Sequence, residues 1–214
     1  MIVLYAFIDE QKHQDLLDNY SKICTEEFYA KILKYRRWQD AQLSLVGRIL
    51  LKHGLNQYFN IKDFEIGCTS NHKPFLKNKE AHFNISHAGN LVVCGISKFP
   101  IGIDVEYMDP IINCNDFKSQ MTPNEFNKIN LSENRVRSFF TYWTEKEAVI
   151  KAHGKGLLIP LQSFEVFQGQ TLIEMEKFYL KQIFINKEYQ CCIASNKDIH
   201  HQNIQLEQIN LNLL

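Results

Sequence analysis

Net charge is what this sequence of 214 residues lacks first: 24 Lys and Arg are matched by 24 Asp and Glu. No global field therefore draws it to nucleic acid or to a membrane. Any polyanion must meet a local positive cluster, which favours a small phosphorylated ligand over a nucleic-acid backbone. No C-x-x-C pair occurs among Cys24, Cys68, Cys94, Cys114, Cys191 and Cys192, and the last two are adjacent, which is awkward for a zinc site. No apolar run reaches membrane-spanning length. The opening MIVLYAFIDE has no basic region ahead of it and is too short for a signal segment. The expectation is a cytoplasmic protein with reduced thiols, bound to neither nucleic acid nor membrane.

What is present is ordinary for a folded chain. Hydrophobic residues make up 45% and charged residues 22%, and 15 Phe with 9 Tyr can fill a sizeable core, which argues against disorder and coiled coil. The length suits one large domain or two of about 100 residues each.

Met1–Ile8 reads as an opening strand. Apolar spacing predicts a helix over 13–35, ending in a basic stretch with Lys31, Lys34, Arg36 and Arg37, and a second over Gln39–His53, stopped by Gly54. Strands are predicted at Phe64–Cys68, at His82–Ile85 and Leu91–Ser97 around a turn over 86–90, and at Ile101–Glu106. Residues 108–138 hold no clean period, although Thr122-Pro123 has the form of a helix cap and first position. A helix is predicted over Phe139–His153, then strands at Ser163–Gln168, Thr171–Glu174, Phe178–Ile185 and Glu188–Ala194.

The two halves echo each other. YRRWQDAQLSLVGRILLKHGL and YWTEKEAVIKAHGKGL share Trp, an acid, Ala, apolar positions and a closing His-Gly, and each half later has a strand ending in Ser, LVVCGIS and YQCCIAS. The expected fold is α+β, a pseudo-twofold duplication of two similar subdomains, 1–100 and 101–214, with the active site at their interface.

The chemistry concentrates in two short stretches. In I-G-I-D-V-E, Asp104 and Glu106 stand two apart on a strand, so both carboxylates emerge on one face with alpha carbons roughly 6.6 Å apart. Converging carboxylates suit a hard cation such as Mg²⁺. Alone the pattern is weak, since Asp63-Phe64-Glu65 has the same spacing and such a pair is usually just solvated. In W-T-E-K-E-A-V-I-K, Trp143, Glu147 and Lys151 form a stripe on one helix face, where the plain alternative is a surface i,i+4 ion pair.

Together these stretches resemble the surfactin-type 4'-phosphopantetheinyl transferases. That family's signature is (I/V)-G-(I/V)-D-(I/V)-E, followed by (F/W)-(S/T/C)-x-K-E-(A/S)-x-x-K. It matches Ile101–Glu106 and Trp143–Lys151; Lys73-Pro74-Phe75-Leu76 and Phe83-Asn84-Ile85-Ser86-His87 match two further motifs in order. The resemblance implies transfer of the 4'-phosphopantetheine of coenzyme A to a serine of an apo acyl or peptidyl carrier protein, releasing adenosine 3',5'-bisphosphate. It implies Mg²⁺ held by Asp104, Glu106 and Glu147, with Glu147 as general base and Lys151 neutralising the departing phosphate. Ser86 and His87 would contact coenzyme A phosphate, and Lys73 and Pro74 would border the adenine. Ser44 falls where the family has a phosphate-binding Thr or Ser, and Lys31 and Lys34 near its basic residues for the 3'-phosphate, with Arg36 and Arg37 competing. The segment after Glu106 would help dock the carrier, with Phe117, Met121 and Phe126 as candidate contacts set against a place in the core. A site carried whole on one chain implies a monomer. The alternative is a non-catalytic coenzyme A binding module, and a magnesium-dependent phosphohydrolase is a further reading.

Overall fold

A computed structural model describes residues 1–20 and 25–211, so Cys24 and part of the helix expected over 13–35 lie outside the described residues. The first half runs β1 (Ile2–Phe7), α1 (His13–Tyr20), α2 (Glu26–Ile32), α3 (Trp38–Phe59), β2 (Ile66–Cys68), β3 (Pro74–Leu76), β4 (His82–Ala88) and β5 (Leu91–Ser97). The second runs β6 (Ile101–Tyr107), α4 (Pro123–Leu131), α5 (Arg135–His153), β7 (Gln170–Ile173), β8 (Glu176–Gln182), β9 (Tyr189–Ser195) and β10 (Gln205–Gln208). In the first half β5 pairs antiparallel with β1 and β4; in the second β9 pairs antiparallel with β6 and β8. Each half is thus a strand, a long helix and returning strands, one of which, β5 or β9, pairs with the first strand of its half. The chain is mixed α+β with two sheet-bearing subdomains, and β10 returns to lie parallel to β1 in the first sheet.

Strand alternation sorts the core into layers. Leu4, Ala6, Val92, Cys94 and Ile96 pack with the α3 residues Leu45, Val46, Ile49 and Leu50. The opposite faces of the two sheets meet through Val3, Leu91, Val93, Ile101, Ile103, Cys191 and Ile193. Cys192 and Ala194 turn the other way, toward Ala148, Val149 and Ala152 of α5. Both sheets are therefore covered on both sides, which is why LVVCGIS is buried along its whole length.

Three local expectations are corrected. Gly54 does not stop α3; the helix runs to Phe59 and ends at Asn60, which takes the left-handed conformation and donates its N–H to Leu55 O. Gly54 serves close packing instead: a Cβ there would stand 2.4 Å from Ile96 and 2.8 Å from Leu4. Ser86 and His87 lie in β4, not in a turn, because the hairpin reverses only at Gly89-Asn90. The strand expected over Ser163–Gln168 is absent; Leu161–Ser163 is a 3₁₀ turn, and irregular chain follows to a lone bridge at Phe167. The Thr122 cap is as read, completed into a capping box by Glu125.

Glu125 also meets Lys146 of α5, at 2.9 Å with both side chains fully buried. The Lys146 ammonium donates further to Leu161 O at 2.7 Å and Phe164 O at 2.6 Å, so its three donors are satisfied. This pair ties α4, α5 and the loop after it together. Removing one partner would strand the other charge in the interior. Lys146→Ala is expected to lower unfolding free energy by about 3–5 kcal/mol, read from urea midpoints against wild type.

Candidate active site

β6 supplies the floor of the site. Ile101, Ile103 and Val105 are committed to the inter-sheet core. Alternation therefore turns Gly102, Asp104 and Glu106 toward α5. At Gly102 the helix backbone lies against the strand: a Cβ would stand 2.2 Å from Ala148 O and 2.3 Å from Ala152 N. Only glycine on the strand, opposite two alanines on the helix, allows that approach.

The stripe expected on α5 meets the two carboxylates in order. Lys151 Nζ donates to Asp104 Oδ1 at 2.5 Å, and Trp143 Nε1 donates to Glu106 Oε1 at 3.1 Å. Glu147 lies between them in sequence, half-buried, and feels the charges of both Lys151 and Asp104. Phe117 and Phe139 pack on Trp143, with ring centroids 5.2 and 5.8 Å away, and hold its indole in place.

β4 closes the site from the first half. Asn84 Oδ1 accepts the N–H of Ile103 at 2.7 Å, which sets β4 against β6. Two residues on, the Ser86 hydroxyl donates to Asp104 Oδ1 at 3.0 Å and accepts from Lys151 Nζ at 3.1 Å. Asp104 is 2% exposed, and its second oxygen, Oδ2, is buried without a partner. Burial pushes its carboxyl above the ordinary aspartate range, against the pull of Lys151 and Ser86. Burial also pushes Glu106 up to about 7, with the Asp104 charge adding and Lys151 opposing. Glu147 is raised by burial too, again opposed by Lys151.

The remaining expected residues divide into those near this cluster and those apart from it. His87 points to the α3 side of β4; packing lowers its pKa, the Lys151 charge lowers it further, and Asp40 opposes. Asp40, Ser44 and Gly47 share one face of α3, and Gly47 lies against Ile85 of β4. Ser44 is thereby placed toward the same strand, half-buried. Pro74 opens β3, and Lys73, just before it, turns its ammonium to Ala152 O at 3.0 Å. Lys31 and Lys34 stand exposed at the end of α2 and beyond it, and no side-chain hydrogen bond or ion pair among the described residues ties them to the cluster. Arg37 is 4.0 Å from Asp40. Phe117 and Met121 pack in the core beneath α4 and α5; Ile111 (87%) and Leu131 (78%) are the apolar side chains of that segment left most open.

Sequence reasoning missed Asn84 and Gly102 as parts of the site. Asn84 stood inside a motif and Gly102 inside another, but neither bears a charge. A glycine among β-branched residues of a buried strand was the available signal.

Among the described residues no group of three His, Cys, Asp or Glu side chains is close enough together to hold a metal ion as placed, and no helix is long and apolar enough to cross a membrane. The family model described as the 4'-phosphopantetheinyl transferase superfamily matches residues 100–200, and that described as 4'-phosphopantetheinyl transferase, N-terminal, matches residues 11–98. The chain is similar to 4'-phosphopantetheinyl transferase gsp of Aneurinibacillus migulanus, 34% identical over 94% of this chain and 89% of that one. It is similar as well to 4'-phosphopantetheinyl transferase Sfp of Bacillus subtilis, 27% identical over 91% of this chain and 92% of the relative. A third relative, ffp of Bacillus subtilis, is 30% identical over 84% and 83% of the two chains.

The contact at Gly102 generates a specific expectation. Gly102→Ala forces α5 off β6 and lengthens the Lys151–Asp104 contact, with a loss of about 1–3 kcal/mol or more in stability. Urea unfolding reads the loss, and an unchanged midpoint would show that the helix yields without cost.

Proposed function

This chain belongs to the 4'-phosphopantetheinyl transferase superfamily, and we propose that it moves the phosphopantetheine of coenzyme A to a serine of an apo acyl or peptidyl carrier protein, releasing adenosine 3',5'-bisphosphate. The observation that carries the reading is the meeting of Asp104 and Glu106 from β6 with Glu147 and Lys151 from α5 and Ser86 from β4, at the junction of the two halves.

Asp104, Glu106 and Glu147 would hold Mg²⁺. Their donor chemistry suits it, being carboxylate oxygens for a hard cation, and Asp104 Oδ2 is a buried acceptor with no partner of its own. When bound, the ion would screen the pyrophosphate and stabilise charge on the departing phosphate. The serine hydroxyl is a poor nucleophile until a base takes its proton, and Glu147 is the base proposed. The serine oxygen forms its bond to the β-phosphorus. The bond from that phosphorus to the bridging oxygen breaks, and its electron pair leaves with adenosine 3',5'-bisphosphate. Lys151 stands ready to neutralise that leaving group, and Ser86 and His87 to contact the phosphates. Pro74 would border the adenine, Ser44 a phosphate, and Lys31 and Lys34 the 3'-phosphate.

We also place the division of the two subdomains near residue 100, and assign the protein to the cytoplasm as a monomer, since both halves of the site lie on one chain. A coenzyme A binding module without activity is disfavoured by the intact set of Asp104, Glu106, Glu147 and Lys151, which such a module would have no need to keep.

Intact mass of an apo carrier protein after incubation with this protein, coenzyme A and Mg²⁺ tests the reading. One phosphopantetheine is expected to be gained, and the gain to vanish with EDTA, with Glu147→Ala and with Asp104→Ala. Coenzyme A binding without transfer to any carrier would move the assignment to the binding module; wild-type turnover by Asp104→Ala would remove the metal assignment.

A further inference from the structure

The last carbonyls of an α-helix have no partner within the helix and carry the negative end of its dipole. At the end of α5 one of them, Ala152 O, receives the ammonium of Lys73 from the other half of the molecule, at 3.0 Å. The same ammonium reaches Ile101 O at 3.5 Å, at the start of β6. It therefore spans the strand and the helix beside Gly102, where their backbones come closest.

The rest of the Lys73 environment is built for that reach. Its stem lies along Gly154, with Cδ 3.3 Å from where a Cβ would stand. Asn71 Nδ2 donates to Gly154 O at 3.4 Å, a second and weaker link from the same hairpin. The hairpin is itself braced, with Thr69 N donating to Lys73 O, and Lys73 N donating to Thr69 Oγ1 at 3.1 Å. Burial lowers the Lys73 pKa to about 8, with Glu176 opposing, so the ammonium is still mostly charged at neutral pH.

Resting on the function proposed above, we propose that Lys73 is a positioning residue that staples the last turn of α5 to β6, acting on the reaction through Lys151 rather than through a contact with the adenine. Lys151 immediately precedes Ala152, and its own ammonium must hold Asp104 and Ser86 together. Fraying of the last turn would release that contact while leaving the nucleotide's binding surface on β3 intact.

The test compares the full-length wild type with K73M, which keeps the stem against Gly154 but removes the donors, and K73R, which restores donors. Amide hydrogen exchange is read across residues 150–154, and affinity is read for adenosine 3'-monophosphate, which has the adenine end of coenzyme A without its 5'-phosphates. The kcat for carrier modification completes the set. In K73M, exchange in the last turn is expected to quicken about tenfold and kcat to fall about tenfold, with the Kd for the nucleotide within about twofold of wild type. K73R is expected to recover the exchange rate and part of kcat. A Kd that rises as far as kcat/KM falls, with exchange unchanged, would overturn the proposal in favour of a direct ligand contact. Unchanged exchange and unchanged kcat would overturn it outright. Exchange is measured without substrate, so a chain that modified no carrier would sink the proposed reaction and leave the staple to be judged on exchange alone.

Discussion

The close approach of α5 to β6 at Gly102 is the constraint on which the site depends. A helix resting on a sheet through ordinary side chains stays near 10 Å from it. Here the missing Cβ lets helix backbone meet strand, with Ala148 O and Ala152 N where the methyl would be. At that separation Lys151 reaches Asp104, and the indole of Trp143 reaches Glu106. Everything else around α5 holds it there. Lys146 anchors it to α4 and the following loop, Lys73 meets its last turn, and Gly154 ends it with a left-handed residue whose N–H returns to Ile150 O.

The same closeness explains the electrostatics. Asp104, Glu106 and Glu147 are three acids in a partly dry junction with Lys151 as their near cation, and burial raises all three. Ser86 shares the Asp104 oxygen already taken by Lys151, leaving the second oxygen without a donor. An uncompensated acceptor and like charges held together are costly unless a ligand completes the set. Lys146, next in sequence to Glu147, shows the opposite case: its three donors and its partner Glu125 are all satisfied, and its role is structural. Two neighbouring charged residues of one motif thus stand in opposite surroundings, one fully paired and one beside a like charge.

Much of this was legible in the sequence. Alternation in IGIDVE put Asp104 and Glu106 on one face, and the four-residue spacing put Trp143, Glu147 and Lys151 on another, and the two faces do meet. The echo between halves was readable from LVVCGIS and YQCCIAS, which form β5 and β9. What was not legible depends on tertiary context. Gly54 looks like a stop signal until Leu4 and Ile96 are seen against it. Ser86 and His87 look like a turn because polar residues precede Gly89, yet each has a reason to stay in the strand: Ser86 faces Asp104, and His87 faces the α3 side. Lys146 in sequence is indistinguishable from any exposed helix lysine. The return of β10 to β1 rests on pairing between residues some two hundred positions apart, which no local pattern carries.

The pairing registers show how the two halves correspond. Aligning β5 with β9 residue for residue sets Cys94 beside Cys192, and each pairs with the first strand of its own half. Leu4 pairs with Cys94 and Asp104 with Cys192; Ala6 pairs with Val92 and Glu106 with Gln190. Leu4 and Ala6 therefore occupy in the first half the positions that Asp104 and Glu106 occupy in the second. Ile2, paired with Ile96, is likewise the counterpart of Gly102, paired with Ala194. In the first half those three positions are apolar and pack into the core under α3. In the second, one is a glycine that lets the helix come close, and two are acids beneath it. Lys151 and Trp143 of their own half donate to those acids, and β4 of the other half adds Ser86 on Asp104 and Asn84 on the backbone of Ile103. A single half would leave the carboxylates without that edge, so the site belongs to the junction because the chemistry of one copy depends on the packing of the other.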